Sequence, residues 1–325
     1  MIDTLKIILS PDDIHYEWDI KDVKSKLHIN EKYDRKGFKP LGYVKNMSVS
    51  GDNRKLIVEG SIAKYYNGNN IENFNWFDIE SAVEELSEEL ELPLKDGRIG
   101  RVDIGANIEL KQDVRDYFNE LGHLEYHLRI NRHRTTLRYE FKSMRKNMIF
   151  YDKLVETKKK KLIGDFDKKD FTQAKHLMRV EYQFQERVSQ IFKKKDLRVS
   201  DLYTQAFCKQ LMRCWFDTYQ CIYKKAVLKY PKKLKGNADF EKFMKRVYVE
   251  MFGWEGLNDL MMSAVKQGSL SASDKSKKLK QYREAMLDNY SFEFHENILE
   301  LNHKVKLMYC EALKQLYKPT VNLVA

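Results

Sequence analysis

Apolar and polar residues alternate most regularly over residues 101–110, RVDIGANIEL. Val102, Ile104, Ala106, Ile108 and Leu110 fall on one side of an extended chain, and Arg101, Asp103, Asn107 and Glu109 on the other. Residues 177–184, LMRVEYQF, repeat the pattern, with Met178, Val180, Tyr182 and Phe184 inward and Arg179, Glu181 and Gln183 outward. Residues 4–9 read as a first strand. Residues 55–66, KLIVEGSIAKYY, read as a strand or bent hairpin, because Gly60 interrupts a β-branched run. Residues 124–130 and 135–142 form a hairpin pattern around 131–134. The apolar run at 147–151 is a further strand, on which Tyr151 and Lys153 share one face and Phe150 and Asp152 the other. Helical spacing appears at 78–92, where Ile79, Val83, Leu86 and Leu90 recur, at 113–121, and more briefly near 20–26.

Beyond about residue 193 the period changes. Stretches 200–228, 240–251, 257–265, 275–287 and 292–316 are helical in pattern, with loops at 232–236 and 268–273. The expected fold is α+β: an N-terminal, mostly antiparallel sheet with packed helices over 1–192, then an all-helical domain over 193–325. If the apolar strand faces pack on helices, the polar faces share one open side of the sheet. That side carries Asp103, Asn107, Glu109, Arg138, Glu140, Tyr151, Lys153, Arg179 and Glu181.

Charge narrows the partner. The net charge of +11 favours a polyanion, either nucleic acid or an anionic surface. The opening MIDTLKIILSPDD is too short and too charged for a signal peptide, and no run approaches the ~20 apolar residues of a membrane helix. No membrane partner is expected, and the unpaired cysteines point to a reducing cytoplasm. Cys208, Cys214, Cys221 and Cys310 fit no zinc spacing; Cys214 and Cys221, a heptad apart, read as buried free thiols on one helix face.

Carboxylates facing the same way as a tyrosine, in a basic protein, suit metal-assisted phosphoryl transfer. Asp103, Glu140 and Glu181 are candidate ligands for a hard divalent ion, Mg²⁺ or Mn²⁺. Tyr151 is the candidate nucleophile, and Lys153 and the metal are expected to favour its phenolate. Solvated strand surface is the plain alternative for each of these residues taken singly. Candidate DNA contacts are Arg101, Arg138 and Arg179 on the sheet, Arg132 and Arg134 in the hairpin turn, and the run Lys158, Lys159, Lys160 and Lys161. Two helices joined by a turn also place Lys277, Lys278, Lys280 and Arg283 where a groove-reading helix would carry them, or where a bundle would have a solvated basic face.

The ordered set RVDIGANIEL, TTLRYEF, MIFYDKLVETKKKK and LMRVEYQF, with the opening MIDTLKIIL, resembles the II/X family of phage and plasmid replication proteins over roughly residues 1–192. These are filamentous-phage-type initiators of rolling-circle replication. The resemblance implies a DNA-nicking role for Tyr151 with Lys153 beside it, and more weakly a metal-ligand role for Asp103 and Glu181. The His-hydrophobic-His signature of the wider nickase group is absent. It further implies nicking and religation of one strand through a 5′-phosphotyrosine, on single-stranded and supercoiled duplex origin DNA in a bacterial host cell. A host polymerase and helicase would act with it. No nucleotide cofactor is expected, since no GxxxxGK[ST] loop is present. A non-catalytic origin-binding protein and an RNA-binding module with base-stacking aromatics remain alternatives.

Overall fold

The computed structural model describes residues 1–28, 40–71, 74–132, 135–141, 146–159, 174–228, 235–287 and 292–316. Nine strands form one antiparallel sheet in the order β2-β3-β4-β1-β5-β9-β8-β7-β6. They are β1 (Ile2–Leu9), β2 (Gly42–Val44), β3 (Met47–Asp52), β4 (Lys55–Ser61), β5 (Arg98–Glu109), β6 (Leu128–Arg132), β7 (Thr136–Phe141), β8 (Lys146–Asp152) and β9 (Leu177–Phe184). The long strands β5 and β9 lie side by side near the middle, with Asp103 opposite Gln183, Gly105 opposite Glu181 and Asn107 opposite Arg179. On the other flank of β9, Tyr151 of β8 lies opposite Arg179.

One face of the sheet is the core. Val102, Ile104, Val180, Phe184 and Phe150 are buried there, together with Ile79, Val83 and Leu86 from the helix Asp78–Leu90. The apolar layer is completed by Gln205–Cys221 and Glu296–Leu316, whose Leu211, Trp215, Ile298 and Leu301 enter the same core. Trp215 is fully buried, and its indole N–H donates to the Val180 carbonyl at 3.1 Å. Among the described residues, the regular structure of the C-terminal part is helical except for the ribbon β10 (Ala226–Leu228) and β11 (Phe292–Phe294). There Asn237–Lys266 and Ala272–Leu287 form a pair with a small core of Val249, Leu257 and Met261. Gly253 (φ 74°) kinks the first of them, between the two stretches whose periodicity predicts separate helices.

Three local expectations are corrected. The stretch 55–66 is not a hairpin. β4 ends at Ser61, whose hydroxyl caps the helix Ile62–Asn67 by accepting from the Lys64 N–H. Lys153 does not continue the strand after Tyr151. The Asp152 carboxylate accepts from the Val155 N–H at 3.0 Å, and Lys153 opens the helix Lys153–Lys159. The cysteines are free, but Cys214 is only half-buried and Cys221 is exposed.

β1 carries the irregularity that matters most for the site. Ile2 pairs with Ile104 and Leu5 with Val102, so three steps on β1 match two on β5. The extra residue is a bulge, which resets the alternation. Ile2 and Leu5 both stay in the core, while Asp3 is released to the polar face.

Candidate active site

The polar face is not open at its centre. A loop following the helix Ile62–Asn67 brings Asn70 onto it, where the Asn70 carbonyl accepts from the Asn107 side chain at 3.0 Å and from Arg179 at 3.3 Å. Asp103, Asn107, Arg179, Glu181 and Gln183 are consequently all buried. A cleft of about 530 Å³ remains beside this cover, with Tyr151 half-buried in its wall.

Arg179 is the hub. Its guanidinium reaches Asp3 at 3.0 Å, Glu181 Oε2 at 3.2 Å and Asn107 Oδ1 at 3.2 Å. Burial opposes its charge, but Asp3, Tyr151 and Glu181 more than offset this and hold its pKa above the ordinary arginine value. Asp3 shows the reciprocal effect. Burial pushes its pKa up, yet Arg179, hydrogen bonds from Ser61 and Asn70, and Lys153 bring it down to about 2.

Glu181 links the hub to the tyrosine. The Tyr151 hydroxyl donates to Glu181 Oε2 at 3.2 Å, and the Gln183 amide donates to Glu181 Oε1 at 2.6 Å. Gly105 lies opposite Glu181, and a Cβ there would sit 2.8 Å from the Val180 carbonyl and 3.3 Å from Glu181 Cβ. The position must therefore lack a side chain for Glu181 to lie as it does.

Tyr151 departs from the expectation of a readily formed phenolate. Burial and the Glu181 charge push its pKa well above the usual phenol value, with Arg179 only partly opposing them. Lys153 is 1% exposed and donates to Asn70 Oδ1 at 2.9 Å and Glu156 at 3.0 Å, with its ammonium 5.9 Å from the Tyr151 ring centre. Burial and then Arg179 lower its own pKa. It is a pillar behind the ring, tying the helix to the Asn70 loop.

The three candidate metal ligands do not converge. Asp103 is fully buried, and both its oxygens are held by Arg101, so it does not line the cleft. Burial raises its pKa well above the carboxylate range despite that bond. Glu140 pairs with Arg138 at 3.0 Å and faces Asn147, four residues along β8 from Tyr151. Only Glu181 lines the cleft, in the company of Asp3, Glu59, Asp152 and Glu156; Lys64 and Arg101 are the cations of the lining. No three His, Cys, Asp or Glu side chains among the described residues form a ready-made cage. The lining nevertheless fits a hard divalent ion in its donor chemistry. It offers carboxylate oxygens in excess over cations, and Mg²⁺ is commonly held by one or two carboxylates plus the substrate's phosphate.

The candidate DNA contacts fall into three groups. Arg179 is 4% exposed and belongs to the scaffold rather than to the surface, Arg101 is occupied by Asp103 and, at 3.4 Å, by Glu59, and Arg138 by Glu140 at 3.0 Å. Lys158, Lys277, Lys278, Lys280 and Arg283 are exposed, and Arg283 lies 5.4 Å over the Trp254 ring. Arg134, Lys160 and Lys161 lie outside the described residues; the backbone of Arg132 ends β6, and that of Lys159 ends its helix. Asp3, Asn70 and Gly105 are the site residues that sequence reasoning misses. An acid in the core phase of β1, next to an out-of-phase Ile2, is the one readable sign of the bulge.

One comparison with known families finds a match. Residues 1–206 match the N-terminal region of a family of phage replication-associated proteins. The chain belongs to this family. No curated protein matches it. Membership in the phage replication-associated family supports a rolling-circle replication initiator of the filamentous-phage type, and with it binding to origin DNA. The match runs from β1 through β9 and into the first turn of the helix Gln205–Cys221, so every residue of the Tyr151 cleft lies within it. No helix among the described residues is long and apolar enough to cross a membrane.

Proposed function

We propose that this member of the phage replication-associated family initiates replication by nicking one strand at an origin, with Tyr151 as the nucleophile. The observation that carries the reading is the hydrogen bond from the Tyr151 hydroxyl to Glu181 Oε2, made at the wall of a cleft large enough for a phosphodiester. A phenol whose pKa is pushed up needs a proton acceptor at the moment of attack, and Glu181 is in hydrogen-bond reach. The Tyr151 oxygen bonds to phosphorus, its proton passes to Glu181, and the bond from phosphorus to the 3′ oxygen breaks. The 3′ oxygen takes a proton from water and becomes a primer end for a host polymerase, while a host helicase separates the strands. The 5′ phosphate stays on Tyr151 until a 3′-OH attacks it and the displaced strand is closed, so no nucleotide cofactor is consumed.

Arg179 holds Glu181 and Asp3 in place and keeps Asp3 ionised, and Lys153 fixes the ring from behind. A Mg²⁺ or Mn²⁺ ion, held by Glu181 and Asp3, would supply charge neutralisation at the phosphate when bound. A carboxylate oxygen has lone pairs enough for more than one such partner. The setting is the cytoplasm of a bacterial host. The test is conversion of supercoiled origin plasmid to open circles by purified protein. Wild type is expected to nick and to stop in EDTA, and Tyr151→Phe to bind without nicking. Nicking by Tyr151→Phe would move the nucleophile elsewhere, and undiminished nicking in EDTA would remove the metal.

A further inference from the structure

The polar face has a second hollow, of about 380 Å³, toward the opposite end of the central strands from Tyr151. Its position follows from the register. Arg98, Ile99 and Gly100 of β5 contribute to it, whereas Tyr151 is level with Asn107, through Arg179. Seven residues of strand separate the two levels, roughly 20 Å. The hollow and the cleft are joined by side chains. Lys6 lines the hollow and pairs at 3.4 Å with Glu59, which lines the cleft and also meets Arg101.

The two linings are opposite in character. Around the hollow stand Lys6, Lys55, Arg98, Arg187 and Lys195, with Glu186 as the acid. Lys6 is engaged by Glu59 and Arg98 by Asp13, but Lys55, Arg187 and Lys195 are exposed and have no ion-pair partner among the described residues. Arg187 is held in the left-handed region (φ 55°), a conformation that costs an arginine free energy and persists where the surroundings enforce it. The floor is apolar where the strand pattern would leave it polar: Ile8 and Ile57 face each other across β1 and β4 and are only half-buried.

We infer that this hollow is a binding subsite for single-stranded DNA, occupied by the strand being cut where it runs on from the Tyr151 cleft. The inference rests on the nicking function proposed above for the choice of DNA as ligand. Unpartnered cations at the rim meet phosphates, and the aliphatic floor meets the faces of unstacked bases; this is the division of labour by which proteins hold single strands. A paired duplex keeps its base faces stacked inside and has nothing to lay on Ile8 and Ile57. The hollow also gives the acidic cleft a neighbour that retains the polyanion close to the reacting phosphate.

The test uses the full chain carrying Tyr151→Phe, so that binding is read without cleavage, and a fluorescein-labelled 20-nucleotide mixed-sequence single strand. Fluorescence anisotropy is measured over a series of salt concentrations for the parent and for Lys55→Ala/Arg187→Ala/Lys195→Ala. With three phosphates no longer neutralised, the slope of log K against log salt falls by about 2, at ~0.7 per phosphate, with a drop of about tenfold or more in affinity at low salt. The single charge reversal Lys55→Glu, a change at one exposed side chain, weakens binding in the same direction. Unchanged slope and affinity in both variants would overturn the subsite, as would an equal loss for a blunt duplex of the same length. The nicking reading is scored separately, by adduct formation in protein with Tyr151 intact. If the triple variant loses single-strand binding and no adduct forms, the subsite stands and the nucleophile falls. If adduct forms and the triple variant binds like its parent, the subsite alone falls.

Discussion

Replacing Arg179 with methionine removes a cation that pairs with both Asp3 and Glu181. Methionine keeps most of the side-chain length and the core beneath is untouched, so the loss is electrostatic. Three groups lose a partner at 3.0–3.2 Å: Asp3, Glu181 and the Asn107 side-chain oxygen, all buried. Breaking a buried pair from one side costs about 3–5 kcal/mol, because the remaining charge is left uncompensated. At ~2–4 °C per kcal/mol for a domain of this size, the unfolding midpoint at pH 7 should fall by roughly 10 °C. The double variant Arg179→Met/Asp3→Asn removes one stranded carboxylate and should recover part of that, with a coupling of about 1–3 kcal/mol. The pH dependence has a definite sign. The folded pKa of Asp3, about 2, lies below its ordinary 3.8, so the pair stabilises the wild type above pH 3.8 and that contribution drains away as pH falls toward 2. In Arg179→Met this acid-side loss should flatten. Thermal unfolding of the four proteins of the cycle, followed by circular dichroism from pH 2 to 7, measures all three quantities. Strictly additive losses, with coupling below ~0.5 kcal/mol, would refute the hub.

Three further outcomes follow from the same geometry. Glu181→Gln keeps the shape of the hub but removes the proton acceptor; nicking should slow by ~10²–10⁴-fold, with the residual rate climbing with pH as free phenolate forms, and a flat profile would argue against the role. Gly105→Ala places a Cβ 2.8 Å from the Val180 carbonyl, so β5 and β9 must part; about 1–3 kcal/mol of stability should be lost in thermal melts, and nicking should fall with it as Glu181 shifts from Tyr151. Replacing Lys277, Lys278, Lys280 and Arg283 with alanine should lower the salt dependence of duplex-origin binding by ~0.9 in slope for each phosphate no longer neutralised, while the cutting of short single strands continues; an unchanged slope would make this a plain solvated face.

The parts of the site that can be read from the sequence are those on two-sided strands. β5 and β9 each have one face in the core and one on the polar side, so their alternation reports the face of Asp103, Asn107, Arg179 and Glu181 correctly. What the pattern cannot report is what covers that face. Asn70 arrives from a loop and acts through its carbonyl as well as its side chain, and carbonyls leave no mark on composition. Without that cover, Arg179 reads as a DNA contact and Asp103 as a metal ligand, whereas both are interior. Asp3 is hidden by the bulge, since strict alternation points it into the core with Leu5 and Ile7. The hairpin of β2 and β3 turns on Lys45 (φ 51°) and Asn46, without the glycine that usually announces so tight a turn. Lys153 reads as strand because the change from strand to helix rests on a single cap, Asp152, which also reads as an ordinary strand residue.

The measurement that bears most directly on the central claim is mass spectrometry of the protein after reaction with single-stranded origin DNA in Mn²⁺, quenched with denaturant and digested with nuclease and trypsin. The account predicts a peptide containing Tyr151 that carries the mass of a 5′-linked nucleotide, absent from Tyr151→Phe. An adduct mapped to Tyr139, Tyr182 or any other residue, or cleaved DNA with no adduct on the protein, would contradict it.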